Sequence, residues 1–349
     1  MKHCLPGGVG DSTWFESLNS FEKQETMQQV KFKQKHFPGV ADGVWSKRPT
    51  YTYPHILPMG YEKEVFYAPV AQDILNYCSQ EDIAIHTEVL NLRSSQVACF
   101  NVLFPLRQDL KLAAIALAPL LPGVQQVDNI EFEYTGPEGA TEWLGEPAGG
   151  KRGQNRTSID AAITWRASGK RYLTLVEWKY TERGYGGCGG YESKGNKRKD
   201  DCRELNLGSM SPNQCYLTQG KNTRRYWEHL AQAEIDINAM SSIKGCPFRG
   251  PFYQLMRQFL LAAYLRKNGG QEGKFDEVYV VSVSFKDNSF IHMVPVYLKQ
   301  LGTTVEDAWN SVLSNVPPLS TVYANDIVDA LRGAGTSPLA NYLQVRYGL

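Results

Sequence analysis

Three residues stand out for the chemistry their spacing allows: Asp160, Glu177 and Lys179. Ser158–Ala167 and Lys170–Tyr180 both alternate in the way strands do, and only Ser168-Gly169 separates them, the length of a tight hairpin loop. That turn sets Ala167 opposite Lys170 and therefore Asp160 opposite Glu177, unless a bulge shifts the match by one residue. Directly opposed side chains have Cβ atoms ~4.5–5.5 Å apart, a separation at which like charges repel unless a cation lies between them. A hard divalent ion, Mg²⁺ or Mn²⁺, suits such a pair, because it commonly takes only one or two carboxylates and keeps water and phosphate oxygens as its other ligands. Lys179 lies on the same face as Glu177, placed to position water or to stabilise charge developing on a phosphate. An isolated Glu-x-Lys triplet is ordinary surface chemistry; the pairing with Asp160 is what points to a phosphate-processing site.

The surrounding pattern indicates which elements hold these residues. Residues 13–36 and 70–77 read as helices, and 88–104 as a further helix that ends or kinks at Pro105. Leu110, Ala113, Ala114, Leu117 and Leu121 continue the helical layer to about Pro119, whereas residues 40–66 read as extended chain whose aromatics need burial. The period then drops to two at Ile130–Tyr134, the first strand. In the strand carrying Glu177, Tyr172, Thr174, Val176, Trp178 and Tyr180 share one face and Leu173, Leu175, Glu177 and Lys179 the other, so apolar residues on both faces predict a central strand. After Gly250-Pro251 a broad apolar stripe runs from Phe252 to Tyr264 and stops at Gly269-Gly270. Glu277–Phe285 and Phe290–Tyr297 read as two more strands, followed by a helix capped through Thr303 and Glu306. This order predicts an α/β fold with a mixed central β-sheet flanked by helices.

Ser158-Ile159-Asp160, Leu175-Val176-Glu177-Trp178-Lys179 and the preceding helix resemble the PD-(D/E)XK nuclease superfamily, whose motif tail stands here as Glu177-Trp178-Lys179. Leu92–Asn101 is similar to the first helix of a bacterial branch of restriction-endonuclease-like proteins. The resemblance covers residues ~88–285 and departs from the motif at Ile159, where the family often has proline. It implies a restriction-endonuclease-like core at 83–300 with a Gly/Cys/Lys-rich insertion at 183–250, a helical N-terminal extension at 1–82 and a C-terminal helical region at 301–349. It also implies Mg²⁺-dependent (or Mn²⁺-dependent) hydrolysis of nucleic-acid phosphodiesters, with DNA ahead of RNA as substrate and restriction or anti-phage defence as the setting. Asp160 and Glu177 would be metal ligands, the Trp178 carbonyl a third, and Lys179 would assist the attacking water. Glu88 is the candidate for an added helix carboxylate, with Glu131 or Glu133 as strand alternatives, and Gln254 and Arg257 would face the site or the nucleic-acid backbone. The alternative is an inactive nucleic-acid-binding module or interaction scaffold that keeps the fold.

Charge and cysteine content bound the remaining classes. Residues 151–230 hold 16 Lys/Arg against 8 Asp/Glu in a chain whose net charge is only +1, and Lys197-Arg198-Lys199 concentrates that excess, as a polyanion partner would require. The same run could equally be a solvated face. Seven cysteines without an export-type start suggest free thiols in a reducing cytoplasm, and no stretch is long and apolar enough to suggest a membrane partner. Cys188, Cys202, Cys215 and Cys246 fall in the insertion and could ligate a structural Zn²⁺, although no CxxC pair is present. Gly208-Ser209-Met210 is not a nucleophile elbow, which leaves serine-hydrolase chemistry without an anchor. A second copy of the chain or an activating partner stays open.

Overall fold

In the computed structural model, the described residues are 12–149, 151–152, 155–191, 193–207, 215–219, 223–335 and 337–349. Cys4 and Gly208-Ser209-Met210 lie outside them. The helices are α1 (Ser12–Glu16), α2 (Ser20–His36), α3 (Ala71–Gln80), α4 (Ser95–Gln108), α5 (Leu110–Ala116), α6 (Glu138–Trp143), α7 (Lys199–Arg203), α8 (Phe252–Asn268), α9 (Val305–Asn310), α10 (Ala324–Gly333) and α11 (Ser337–Tyr347). The strands are β1 (Gly43–Trp45), β2 (Arg48–Tyr53), β3 (Gln126–Tyr134), β4 (Ile159–Ala167), β5 (Lys170–Trp178), β6 (Glu277–Ser284) and β7 (Ser320–Tyr323).

The central sheet has the order β3-β4-β5-β6-β7, antiparallel from β3 to β5 and parallel from β5 to β7, so the fold is α/β with a mixed five-stranded sheet. Ser168 and Gly169 both adopt positive φ, 50° and 76°, the primed turn whose twist matches the flanking strands. It delivers the expected register, Ala167 against Lys170 through Ala161 against Val176. β5 is central, and its two faces feed two cores. Val176, Trp178 and Tyr180 pack with α4, α10 and α11, whereas Leu173 and Leu175 pack against Leu255, Phe259 and Leu260 of α8. A satellite cluster of Trp14, Phe15, Leu18, Tyr53 and Ile56 buries the aromatics of the extended N-terminal segment beside the β1–β2 hairpin.

Three local expectations are corrected and a fourth is narrowed. The helix expected from residue 88 starts at Ser95, because Ser94 caps it by accepting from the Val97 N–H. Of the two outcomes expected at Pro105, the helix does not end there: Pro105 lies inside it, and it continues to Gln108 with Phe104 and Leu106 both buried. Residues 290–297 form no strand but belong to 3-10 turns at Ser289–His292 and Val296–Leu298. Pro295 lacks the N–H a ladder needs, and β7 takes the sheet edge instead. The cap of α9 is Thr304 with Asp307, one residue beyond the expected pair. No described helix is long and apolar enough to cross a membrane.

Candidate active site

The hairpin register sets Asp160 and Glu177 side by side where β4 and β5 begin to separate, and the Asp160 carboxylate accepts a hydrogen bond from the Trp178 N–H at 2.7 Å. A third carboxylate joins them. Phe132 pairs with Ala161 and Tyr134 with Ile159, so Glu133 of β3 stands opposite Asp160 on its other side. Glu133, Asp160 and Glu177 thus form a row across three neighbouring strands, and of the two strand carboxylates it is Glu133, not Glu131, that stands beside Asp160. Glu133 has φ 46°, the left-handed region that costs a non-glycine residue free energy and clusters at functional sites.

Each outer carboxylate is held by amide side chains from a helix. Gln96 of α4 donates to Glu133 at 2.7 Å while its own oxygen accepts from the His86 N–H, and Ser158 donates to the second Glu133 oxygen at 2.7 Å. Gln254 of α8 donates to Glu177 Oε1 at 2.6 Å, and Gln258, one turn later, donates to Oε2. Lys179 Nζ lies 2.7 Å from Glu177 Oε1 and donates to the Gln254 oxygen at 3.2 Å. Glu177 and Lys179 are only 3% and 7% exposed, which makes this a desolvated ion pair whose lone pairs and protons are met by amides. Gln258 and Gln96 were not among the residues expected from sequence. The spacing of Gln258, four residues after Gln254 on a helix, was the available signal.

The electrostatics follow from this crowding. Burial, then the charges of Glu177 and Glu133, hold the Asp160 carboxyl well above the usual range, with Lys179 and the Trp178 N–H opposing. Burial works against the Lys179 ammonium, but Glu177, Glu182 and Asp160 outweigh it and raise its pKa. Three carboxyl groups crowded against one lysine therefore favour the uptake of positive charge, whether a proton or a metal cation.

A family model described as Restriction Endonuclease associating with ARP matches residues 15–348. The chain belongs to this family. That membership spans most of the chain, the whole central sheet included, and points to a nuclease role for a restriction-endonuclease-like α/β core. Comparisons with curated proteins and with solved structures returned no match.

The remaining residues of this restriction-endonuclease family member fall in several places. Glu88 accepts a hydrogen bond from Ser46 of the β1–β2 loop and lines a separate cavity, because the chain before Ser95 is not helical and does not carry it to the row. Arg257 is drawn inward, its Nε donating to Thr157 at 3.1 Å and lying 3.6 Å from Glu146. Glu146 also accepts from the Thr157 N–H and the Tyr226 hydroxyl, so Arg257 braces the entry to β4 rather than facing solvent. Gln254, by contrast, is in the site. Lys197 is exposed, and Arg198 pairs with Asp201 at the start of α7.

The four insertion cysteines are free thiols brought close together. The Cys246 N–H donates to the Cys202 carbonyl at 2.8 Å, the Cys188 N–H to the Arg249 carbonyl at 3.3 Å, and a Cβ on Gly190 would meet Leu217 at 2.9 Å. Burial raises the Cys188 thiol to about 11 and also pushes up Cys215 and Cys246, with the neighbouring thiols adding to the shift. Among the described residues, no group of three or more His, Cys, Asp or Glu side chains is already arranged to hold a metal ion. For the carboxylates the reason is the strand spacing: Glu133 and Glu177 are separated by two inter-strand steps of ~4.8 Å each, too far for one ion to bridge the whole row. An adjacent pair is the unit that can act.

Proposed function

We propose that this chain is a metal-dependent nuclease of the PD-(D/E)XK type that hydrolyses nucleic-acid phosphodiesters, DNA before RNA. The observation that carries the reading is the Glu133–Asp160–Glu177 row with Lys179 at its end, crowded enough to favour a cation and shielded enough to strengthen its effect. Asp160 and Glu177, with the Trp178 carbonyl, would hold Mg²⁺ or Mn²⁺, which needs no third carboxylate. When bound, that ion supplies charge neutralisation and polarisation of the phosphate.

The protein's own groups do the rest. Gln254 and Gln258 fix both Glu177 oxygens, so the carboxylate is oriented before any ligand arrives. Glu133, locked by Gln96 and Ser158, keeps the far side of Asp160 negative. Lys179 holds a proton on Nζ throughout and is free to exchange its contact with Glu177 for a phosphate oxygen, placing positive charge where negative charge develops.

A divalent-metal titration of plasmid, linear DNA and RNA cleavage tests the reading, with Asp160→Ala, Glu177→Ala and Lys179→Ala purified in parallel. Metal-dependent cleavage lost in all three supports it. Cleavage retained in Asp160→Ala overturns the site. Salt-sensitive binding without cleavage by the wild type would return the chain to the binding-module alternative.

A further inference from the structure

Beside the carboxylate row lies a cavity of about 410 Å³ that the proposed chemistry does not use. It shares a wall with the site: Ser95, next to Gln96, donates to Glu182, and the second Glu182 oxygen accepts from the Tyr180 N–H, directly after Lys179. Its far wall is aromatic. Trp14 stacks on His55 with ring centroids 5.2 Å apart and 9° between planes, and meets Trp45 edge-on at 6.1 Å. Trp14 is buried, whereas Trp45 of β1 is half-buried and keeps surface available.

Two lining side chains are buried without full hydrogen bonding. Arg93 is 9% exposed, lies over the Trp14 ring at 5.8 Å and reaches Glu22 at 3.9 Å through its terminal nitrogen, while its Nε has no partner among the described residues. His55 is 1% exposed, and among the described residues its Nδ1 has none either. Burial, with Arg93 and Lys33 nearby, keeps that imidazole neutral. A buried polar atom left unpaired costs free energy that a ligand can recover.

The charges lining the cavity narrow the ligand. Glu22, Glu88 and Glu182 disfavour a bare phosphate, and Arg93 and Lys47 disfavour a simple cation. A neutral planar ring with donors and acceptors along its edge suits both the aromatic wall and the mixed polar rim. We propose that this cavity binds an unstacked nucleobase, with Trp45 as its stacking surface and Arg93 as the buried donor beneath it. The placement next to Lys179 makes the nucleobase one neighbouring the scissile phosphate; in that respect the inference rests on the nuclease reading. Free nucleotides offer the same ring, and the test separates the two sources.

The experiment uses the full chain carrying Asp160→Ala, so that binding is read without cleavage. Oligonucleotides with a single 2-aminopurine, moved stepwise along the strand, report unstacking as a fluorescence rise. Nucleoside monophosphates, followed through tryptophan fluorescence, form the second arm. The expected result is a rise at one position and binding roughly 5- to 150-fold weaker on adding Trp45→Ala, the range for losing one base–aromatic stack, with Trp45→Phe restoring most of it. An effect confined to the monophosphate arm would assign the pocket to free nucleotide. Unchanged binding by Trp45→Ala in both arms overturns the proposal and leaves the nuclease reading standing. Failure of the protein to bind any oligonucleotide, with monophosphates still bound in a Trp45-dependent way, would count against that reading and not against the pocket.

Discussion

Replacing Gln258 by methionine separates stability from function at this site. Gln258 is 1% exposed; its Nε2 donates to Glu177, while its Oε1 is buried without a partner among the described residues. Gln258→Met keeps the length of the side chain and removes both polar atoms. Losing a hydrogen bond to a buried carboxylate costs about 1.5–3 kcal/mol, and removing an unsatisfied buried carbonyl returns about 1–3 kcal/mol. The two terms offset, so urea denaturation should show a stability within about 2 kcal/mol of the wild type. Glu177, however, is left anchored through Oε1 alone, by Gln254 and Lys179. Loss of such an orienting partner typically lowers metal affinity or activity ~10–100-fold, readable by Mn²⁺ calorimetry and by the cleavage assay. Gln254→Met provides the contrast: its oxygen accepts from Gly186 and Lys179 and its nitrogen donates to Glu177, so there is no unpaired group to relieve and the variant should lose stability as well. Unchanged Mn²⁺ affinity and cleavage in Gln258→Met would refute the positioning role. A stability loss above about 3 kcal/mol would refute the offset between the two terms.

Neutralising Lys197, Arg198 and Lys199 together should weaken nucleic-acid binding for all sequences and flatten its salt dependence. Arg198 already pairs with Asp201, so its loss should count for less than that of an unpaired cation; an unchanged slope marks a solvated face. Glu25 supplies a pH test, since burial pushes its carboxyl up to about 7 against the opposing Tyr180 hydrogen bond. The native state then holds a proton that the unfolded chain releases from about pH 4.5, so stability should fall by up to about 3 kcal/mol as pH rises from 4.5 to 7 and level off above. Glu25→Gln should remove that fall, and an equal slope in both proteins would exclude Glu25 as its source. For the insertion, the zinc proposal predicts about one zinc per chain by elemental analysis, lost in Cys202→Ser with faster proteolysis of residues 184–225. Metal-free wild-type protein would end it.

The parts of the site differ in how far they could be read from sequence, and the difference is one of distance along the chain. Asp160 and Glu177 were placed by a turn, because Ser168-Gly169 needs two positive φ values and has only one register in which both faces of β5 bury their apolar residues. Glu133 could not be placed in this way. Its strand joins β4 through a long Gly- and Pro-containing connection, and a register shift between Val127 and Asn129 defeats counting from either end. Glu88 was misplaced by a helix boundary: a reading that starts the helix at 88 puts its carboxylate on a helix face, while the Ser94 cap leaves it on irregular chain. Gln258 was hidden by an apolar stripe, since a polar residue among Leu255, Phe259 and Leu260 gives no sign of its partner until α8 is laid on β5. The zinc expectation is of another kind: the four cysteines lack a CxxC pair in sequence, so only the fold of the insertion brings them near one another. The aromatic cavity extends the same logic, because Trp14, Trp45, His55 and Arg93 come from four separate segments that meet only when the N-terminal chain packs over the start of α4. A local turn therefore creates the charged pair, and remote helices supply the amides that aim it. If the cavity holds a base, it is the N-terminal segment, outside the sheet altogether, that determines which nucleotide lies beside Lys179.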